Sequence, residues 1–129
     1  MSSIVLISSG SPATNPRLVK EANALHGAGH DVHVLYSHVI GWANALDENI
    51  LQTAIWSAEL VGGCPTHNRL TFVASSWWFK CVRRITWRPF RRKRLTRTSL
   101  LLASRAKRHK ADLYIAHNLG ALAAAVIAA

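Results

Sequence analysis

The sequence predicts an α/β fold, a parallel sheet covered by helices on both faces. Three observations carry that expectation. Residues 3–8, SIVLIS, and 31–36, DVHVLY, are short apolar, β-branched runs; a helix of about ten residues fits between them; and residues 111–117, ADLYIAH, repeat the pattern before an alanine-rich segment. A short crossover joins neighbouring parallel strands, and strands apolar at nearly every position are those buried on both faces.

The elements follow in order. After the first strand, Gly10, Ser11 and Pro12 break the run, Asn15 is a favoured N-cap, and Pro16 suits the first helical position. Leu18, Ala22 and Leu25 then recur at helical spacing, so a helix runs from Pro16 to Leu25 or His26 and ends at Gly27 and Gly29. The strand over Asp31 to Tyr36 completes a βαβ unit. Residues 45–54, ALDENILQTA, read as a short helical or irregular excursion, and 56–61, WSAELV, as a strand closing at Gly62 and Gly63. Residues 69–75, RLTFVAS, alternate and read as a further strand. The basic stretch from Trp77 to Lys110 is expected as two helical pieces, broken near Pro89, the second over Ser99 to Arg108.

At 129 residues the chain makes one domain. Its formal charge of +10 is unevenly placed: all but two of the 16 Lys and Arg lie between Leu60 and Ala111, a span without a carboxylate. That segment is built to face anions. Cys64 and Cys81 form no C-x-x-C, and His26, His30, His33, His38 and His67 show no metal-ligand spacing, so reduced thiols and no metal are expected. The opening MSSIVLISSG lacks the basic region of a signal peptide, and the longest apolar stretch, Leu119 to Ala129, falls short of the roughly 20 residues a bilayer needs. A cytoplasmic protein with at most peripheral membrane contact is the expectation.

Two places carry chemistry. In parallel sheets ligands bind at the carboxyl ends of strands, where helix N-termini offer free N–H groups to anions. The loop with Gly10, Ser11 and Asn15 lies there. Arg17 and Lys20 stand in the first turns of the following helix, where the macrodipole disfavours cations by roughly 0.3–1 kcal/mol each. Strengthening an anion site would offset that cost; two solvated cations are the alternative. The loop matches neither a dinucleotide nor a Walker fingerprint. At the later strand end, His117 and Asn118 reach the same edge of the sheet if both strands are parallel, with capping of the last helix as the alternative for Asn118.

The residues IVLISSGSPATNPRLVKEANALHGAGHDVHVL closely resemble the opening of glycosyltransferase family 4 enzymes, and KADLYIAHNLGALAAAVIAA resembles their later segment that delivers a histidine to the cleft. The resemblance implies a GT-B architecture of two Rossmann-like domains. This chain would be the N-terminal, acceptor-side one, and the nucleotide-sugar domain would follow it. The sequence stops within an apolar helix and lacks the family's paired-glutamate segment, so a truncated first part of a larger enzyme is expected, inactive in transfer by itself. By the same resemblance Gly10 and Ser11 would lie near the donor phosphates, Asn15 and Arg17 would begin the adjoining helix, Lys20 and Asn118 would border the cleft, and His117 would be catalytic. The family is retaining and needs no metal or cofactor beyond the nucleotide-sugar donor.

The basic segment admits a different class of function. Trp77, Trp78 and Trp87 alternate with Arg83, Arg84, Arg88, Arg91, Arg92, Lys93 and Arg94. Aromatics among cations suit stacking on nucleic acid, but no recognised RNA or DNA module is present. The same interleaving suits anionic lipid, which fits an enzyme with a lipid-linked or polysaccharide acceptor. A non-catalytic basic binding module is the competing reading, and a solvated basic helix with its aromatics packed on the sheet is the plainest one.

Overall fold

In the computed structural model, residues 1–84 and 96–129 are described. Four strands, β1 (Ser3–Ser8), β2 (Asp31–Tyr36), β3 (Ser57–Leu60) and β4 (Leu113–His117), form one parallel sheet in the order β3-β2-β1-β4. The helices are α1 (Pro16–Gly27), α2 (Asn44–Thr53), α3 (Arg69–Arg84), α4 (Ser99–Ala106) and α5 (Leu119–Ala128). This is a Rossmann-like α/β arrangement.

Alternation along β1 builds two cores. Leu6 faces one side of the sheet with Val32, Val34 and Trp56, where Leu18 and Ala22 of α1 seat. Val5 and Ile7 face the other side with Leu35, where Leu102 and Ala106 of α4 and Ala121, Ala124 and Ala125 of α5 pack. Leu6, Ile7, Leu18 and Leu35 are fully buried, each contributing roughly 1.5–3 kcal/mol relative to exposure. Small alanines at one helical face let α5 approach closely.

The connectivity sets the site. From β1 the chain steps outward to β2 and then β3, and afterwards returns across the sheet to add β4 on the other side of β1. The direction of winding therefore reverses between β1 and β4. Ser8 pairs with His117, so the loops leaving these two strands start side by side.

One expected strand is a helix: residues 69–75 open α3 instead. Within it the Ser75 and Ser76 hydroxyls donate back to the Phe72 carbonyl at 3.1 and 2.7 Å, and the local strand preference of Thr71, Phe72 and Val73 yields to tertiary context. Of residues 45–54, all but Ala54 are helical, within α2. The second basic helix ends at Ala106, two residues short of Arg108. Pro89 and the break assigned to it lie outside the described residues.

Candidate functional site

The site at the reversal point is assembled from backbone turns. The Gly10 N–H donates to Ser8 Oγ at 3.1 Å, and the Ser37 N–H donates to the Gly10 carbonyl at 3.4 Å. Ser11 is fully buried, its hydroxyl 3.4 Å from Thr14 Oγ1, and the Thr14 hydroxyl donates to the Ser11 carbonyl. Asn15 caps α1 as expected, with Oδ1 accepting from the Leu18 N–H at 3.4 Å. Asp47 of α2, itself buried, takes the Ala13 N–H at 2.7 Å. One loop amide is thus already occupied by a carboxylate.

β4 brings the second group. Asn118 occupies the N-cap position of α5, with a positive φ of 76° and its carbonyl accepting from the Ala121 N–H at 3.1 Å, while its side chain makes no capping bond. Its Nδ2 stands 3.6 Å from where a Gly10 Cβ would be. Gly120 lies against the same loop: a Cβ there would come within 2.7 Å of Ser9 Oγ, and would also meet Thr96. Only a residue without a side chain lets α5 begin this close to the β1 loop.

His117 is 8% exposed, and its Nε2 lies 2.8 Å from Glu21 Oε2 on α1. The carboxylate sits off the N–H axis, so the contact is electrostatic, and the nitrogen finds no aligned acceptor elsewhere. Glu21 was invisible to sequence reasoning, because nothing in its spacing ties it to a residue nearly a hundred positions away. Arg17 and Lys20 are both exposed on α1, and neither makes an ion pair among the described residues. The structure therefore gathers Gly10, Ser11, Asn15, His117 and Asn118 at one edge, with Arg17 and Lys20 on the outer surface of the adjoining helix.

Beside this edge, a cleft of about 230 Å³ opens under Tyr36, His38, Asp47, Glu48, Cys64 and His67. Burial, with Asp47 and Cys64 adding to it, pushes the Tyr36 phenol up to about 12. Asp47 belongs to both places, holding the Ala13 amide and facing Tyr36.

Arg97 is a second residue that composition alone could not single out. Its guanidinium donates to the carbonyls of Gly62 at 2.8 Å, His38 at 3.4 Å and Gly63 at 3.5 Å, and to the Ser75 hydroxyl. It lies 4.6 Å from the Phe72 ring centroid, and burial lowers its pKa. One cation of the basic segment is therefore internal, tying the ends of β2 and β3 to α3.

The remaining anion-facing candidates divide. Trp77 and Trp78 are exposed on α3, as is Arg84, and Arg83 falls on the same helix. Leu70, Val73 and Trp77 form an exposed apolar stripe at helical spacing. Trp87, Arg88, Arg91, Arg92, Lys93 and Arg94 lie outside the described residues. Cys64 and Cys81 are free thiols. No helix of the described residues is long and apolar enough to cross a membrane.

No family model matches the chain, and no curated protein is significantly similar to it.

Proposed function

We propose that the chain is the acceptor-side domain of a retaining glycosyltransferase of the family 4 kind, moving a sugar from a nucleotide-sugar donor to an acceptor. The observation that carries the reading is the pairing of Ser8 with His117, which sets the Gly10 loop and the His117–Asn118 step side by side where the sheet reverses its winding. Open α/β sheets bind ligands at that crevice. The quoted resemblance at both segments supports the same assignment.

On this reading Arg17 and Lys20, with the positive end of the α1 dipole, stabilise charge growing on the leaving diphosphate. His117, held by Glu21, borders the transferred sugar. A second Rossmann-like domain would supply the nucleotide pocket. The exposed α3 stripe, with Arg69, Lys80 and Arg84 around it, favours a peripheral contact with an anionic membrane surface at which a lipid-linked acceptor is met. That stripe is also what a non-catalytic lipid- or nucleic-acid-binding module would use.

The test uses protein made from the complete gene, incubated with a panel of nucleotide sugars and lipid or polysaccharide acceptors. Release of nucleoside diphosphate is followed together with the mass of the acceptor. Arg17→Ala is expected to lower kcat/KM by about 10–100 fold, the size of a charged hydrogen bond, and His117→Ala to lose activity with the fold intact. No sugar transfer with any donor, or equal turnover in both variants, overturns the reading.

A further inference from the structure

The second group of ionisable side chains lies toward the amino ends of the strands, away from the reversal point. His33 of β2 and Glu59 of β3 project from the same face of the sheet, because Ser57 pairs with His33 and Glu59 with Leu35, two residues on. His109, in the loop between α4 and β4, closes over them. Its ring stacks on that of His33 with centroids 4.1 Å apart, and its Nε2 is 3.6 Å from Glu59 Oε2.

Ser57 anchors His33 in the same region. Its Oγ lies 2.6 Å from His33 Nδ1 and 3.2 Å from the Val32 carbonyl. The other ring nitrogen, Nε2, is buried with no hydrogen-bond partner. Glu59 is oriented in the same manner: Arg105 Nε holds Oε1 at 3.2 Å, which turns Oε2 toward His109.

We propose that His33, Glu59 and His109 form a binding site for a divalent transition-metal ion of the zinc class, with a fourth position open to water. One ligand atom from each lies within 4.8 Å of the others. Tetrahedral zinc, at roughly 2.0–2.1 Å from nitrogen and oxygen donors, holds them about 3.4 Å apart, and an imidazole binds in its own ring plane, so closing the site requires the His109 ring, carried on the loop before β4, to turn out of its stack on His33. Two imidazoles and one carboxylate are a zinc donor set, and Ser57 on the far nitrogen of His33 gives that ring an outer hydrogen-bond partner, as ligating histidines generally have. Arg105 and His109, when protonated, oppose a cation, while Glu59 and Asp31 favour it. The ion would staple β2 and β3 to the chain entering β4. This site is independent of the proposed transfer reaction, which needs no metal.

The test is a titration of the chelator-treated chain with Zn²⁺ alone, followed by calorimetry and thermal unfolding, and with Co²⁺ followed by visible absorption. One ion per chain, a raised Tm and the intense absorption of tetrahedral cobalt are expected. Glu59→Gln and His109→Ala, both on half-buried groups, should each abolish saturable uptake with unchanged circular dichroism. Ser57→Ala should weaken it by about 10–100 fold, and Cys64→Ser should leave it unaltered. Absence of saturable binding, or binding that survives in Glu59→Gln and His109→Ala but is lost in Cys64→Ser, overturns the proposal.

Discussion

Glu21 Oε2 lies 2.8 Å from His117 Nε2, joining the first helix to the end of the last strand across the loop between them. Glu21→Ala should therefore leave a nearly buried imidazole without its neighbour. Because the contact is electrostatic rather than an aligned hydrogen bond and the carboxylate is partly exposed, the expected loss is at most about 1 kcal/mol. Glu21→Gln, which keeps the shape but removes the charge, should behave as Glu21→Ala does. Urea unfolding of the three proteins measures this; equal midpoints would show that the contact contributes nothing.

Arg97 should be the most costly cation to remove from the basic segment. It holds three carbonyls and a hydroxyl at once, so Arg97→Ala is expected to destabilise the fold by about 2–4 kcal/mol. Arg97→Lys should restore less than half, since an ammonium cannot reproduce the planar fork. By contrast Arg84→Ala, at an exposed position, should shift the midpoint by no more than about 0.5 kcal/mol. A ranking in the reverse order would refute the internal role.

Gly120→Ala should act on the β1 loop through contact alone. The new methyl meets Ser9 and Thr96, and overpacking of this kind costs about 1–3 kcal/mol. Amide chemical shifts of Ser9 and Gly10 should move more than those of β3. Unperturbed loop resonances would mean that α5 simply slides away.

Alkaline stability should depend on Tyr36. Burial disfavours its phenolate and raises the phenol from the ordinary value of 10.0 to about 12 in the folded protein. The folded protein therefore keeps a proton that the unfolded chain releases. The associated stability is fully present below pH 10 and is lost as the pH rises toward about 12. Tyr36→Phe should flatten the fall of the urea midpoint in that window, and an unchanged slope would assign the effect to other groups.

Anionic vesicles should take up the chain through α3. Each Lys or Arg near such a surface contributes about 1 kcal/mol, and rising salt weakens it. Trp77 fluorescence should shift to the blue on binding, and Leu70→Gln with Trp77→Gln should reduce uptake. Stronger binding to single-stranded nucleic acid at the same salt would favour the alternative occupant.

The sheet was legible because β1, β2 and β4 are apolar on both faces and bounded by Gly, Pro and Asn, signals that are local in the chain. The edge that gathers Gly10 and His117 followed from parallel pairing alone. What escaped was nonlocal or internal. Glu21 and Arg97 look like ordinary surface charges in sequence, and only the crossover brings their partners within reach. His33, Glu59 and His109 escaped a search for ligand spacing because the sheet, rather than one helix or knuckle, sets their proximity. The stretch 69–75 misled because Thr, Phe and Val favour strands, while the serine hydroxyls that return to Phe72 act only after a helix has formed.

The order β3-β2-β1-β4 also imposes a schedule on the newborn chain. β1 is made about a hundred residues before the partner on one of its sides, the strand that begins at Leu113. At roughly 5–20 residues per second, a ribosome needs about 5–20 s to supply that partner. For that interval Ile4 to Ile7 present an open, wholly apolar backbone edge, the surface most prone to pair with another chain. Slowed translation of the basic stretch would lengthen the exposure, and the yield of soluble protein should fall with it.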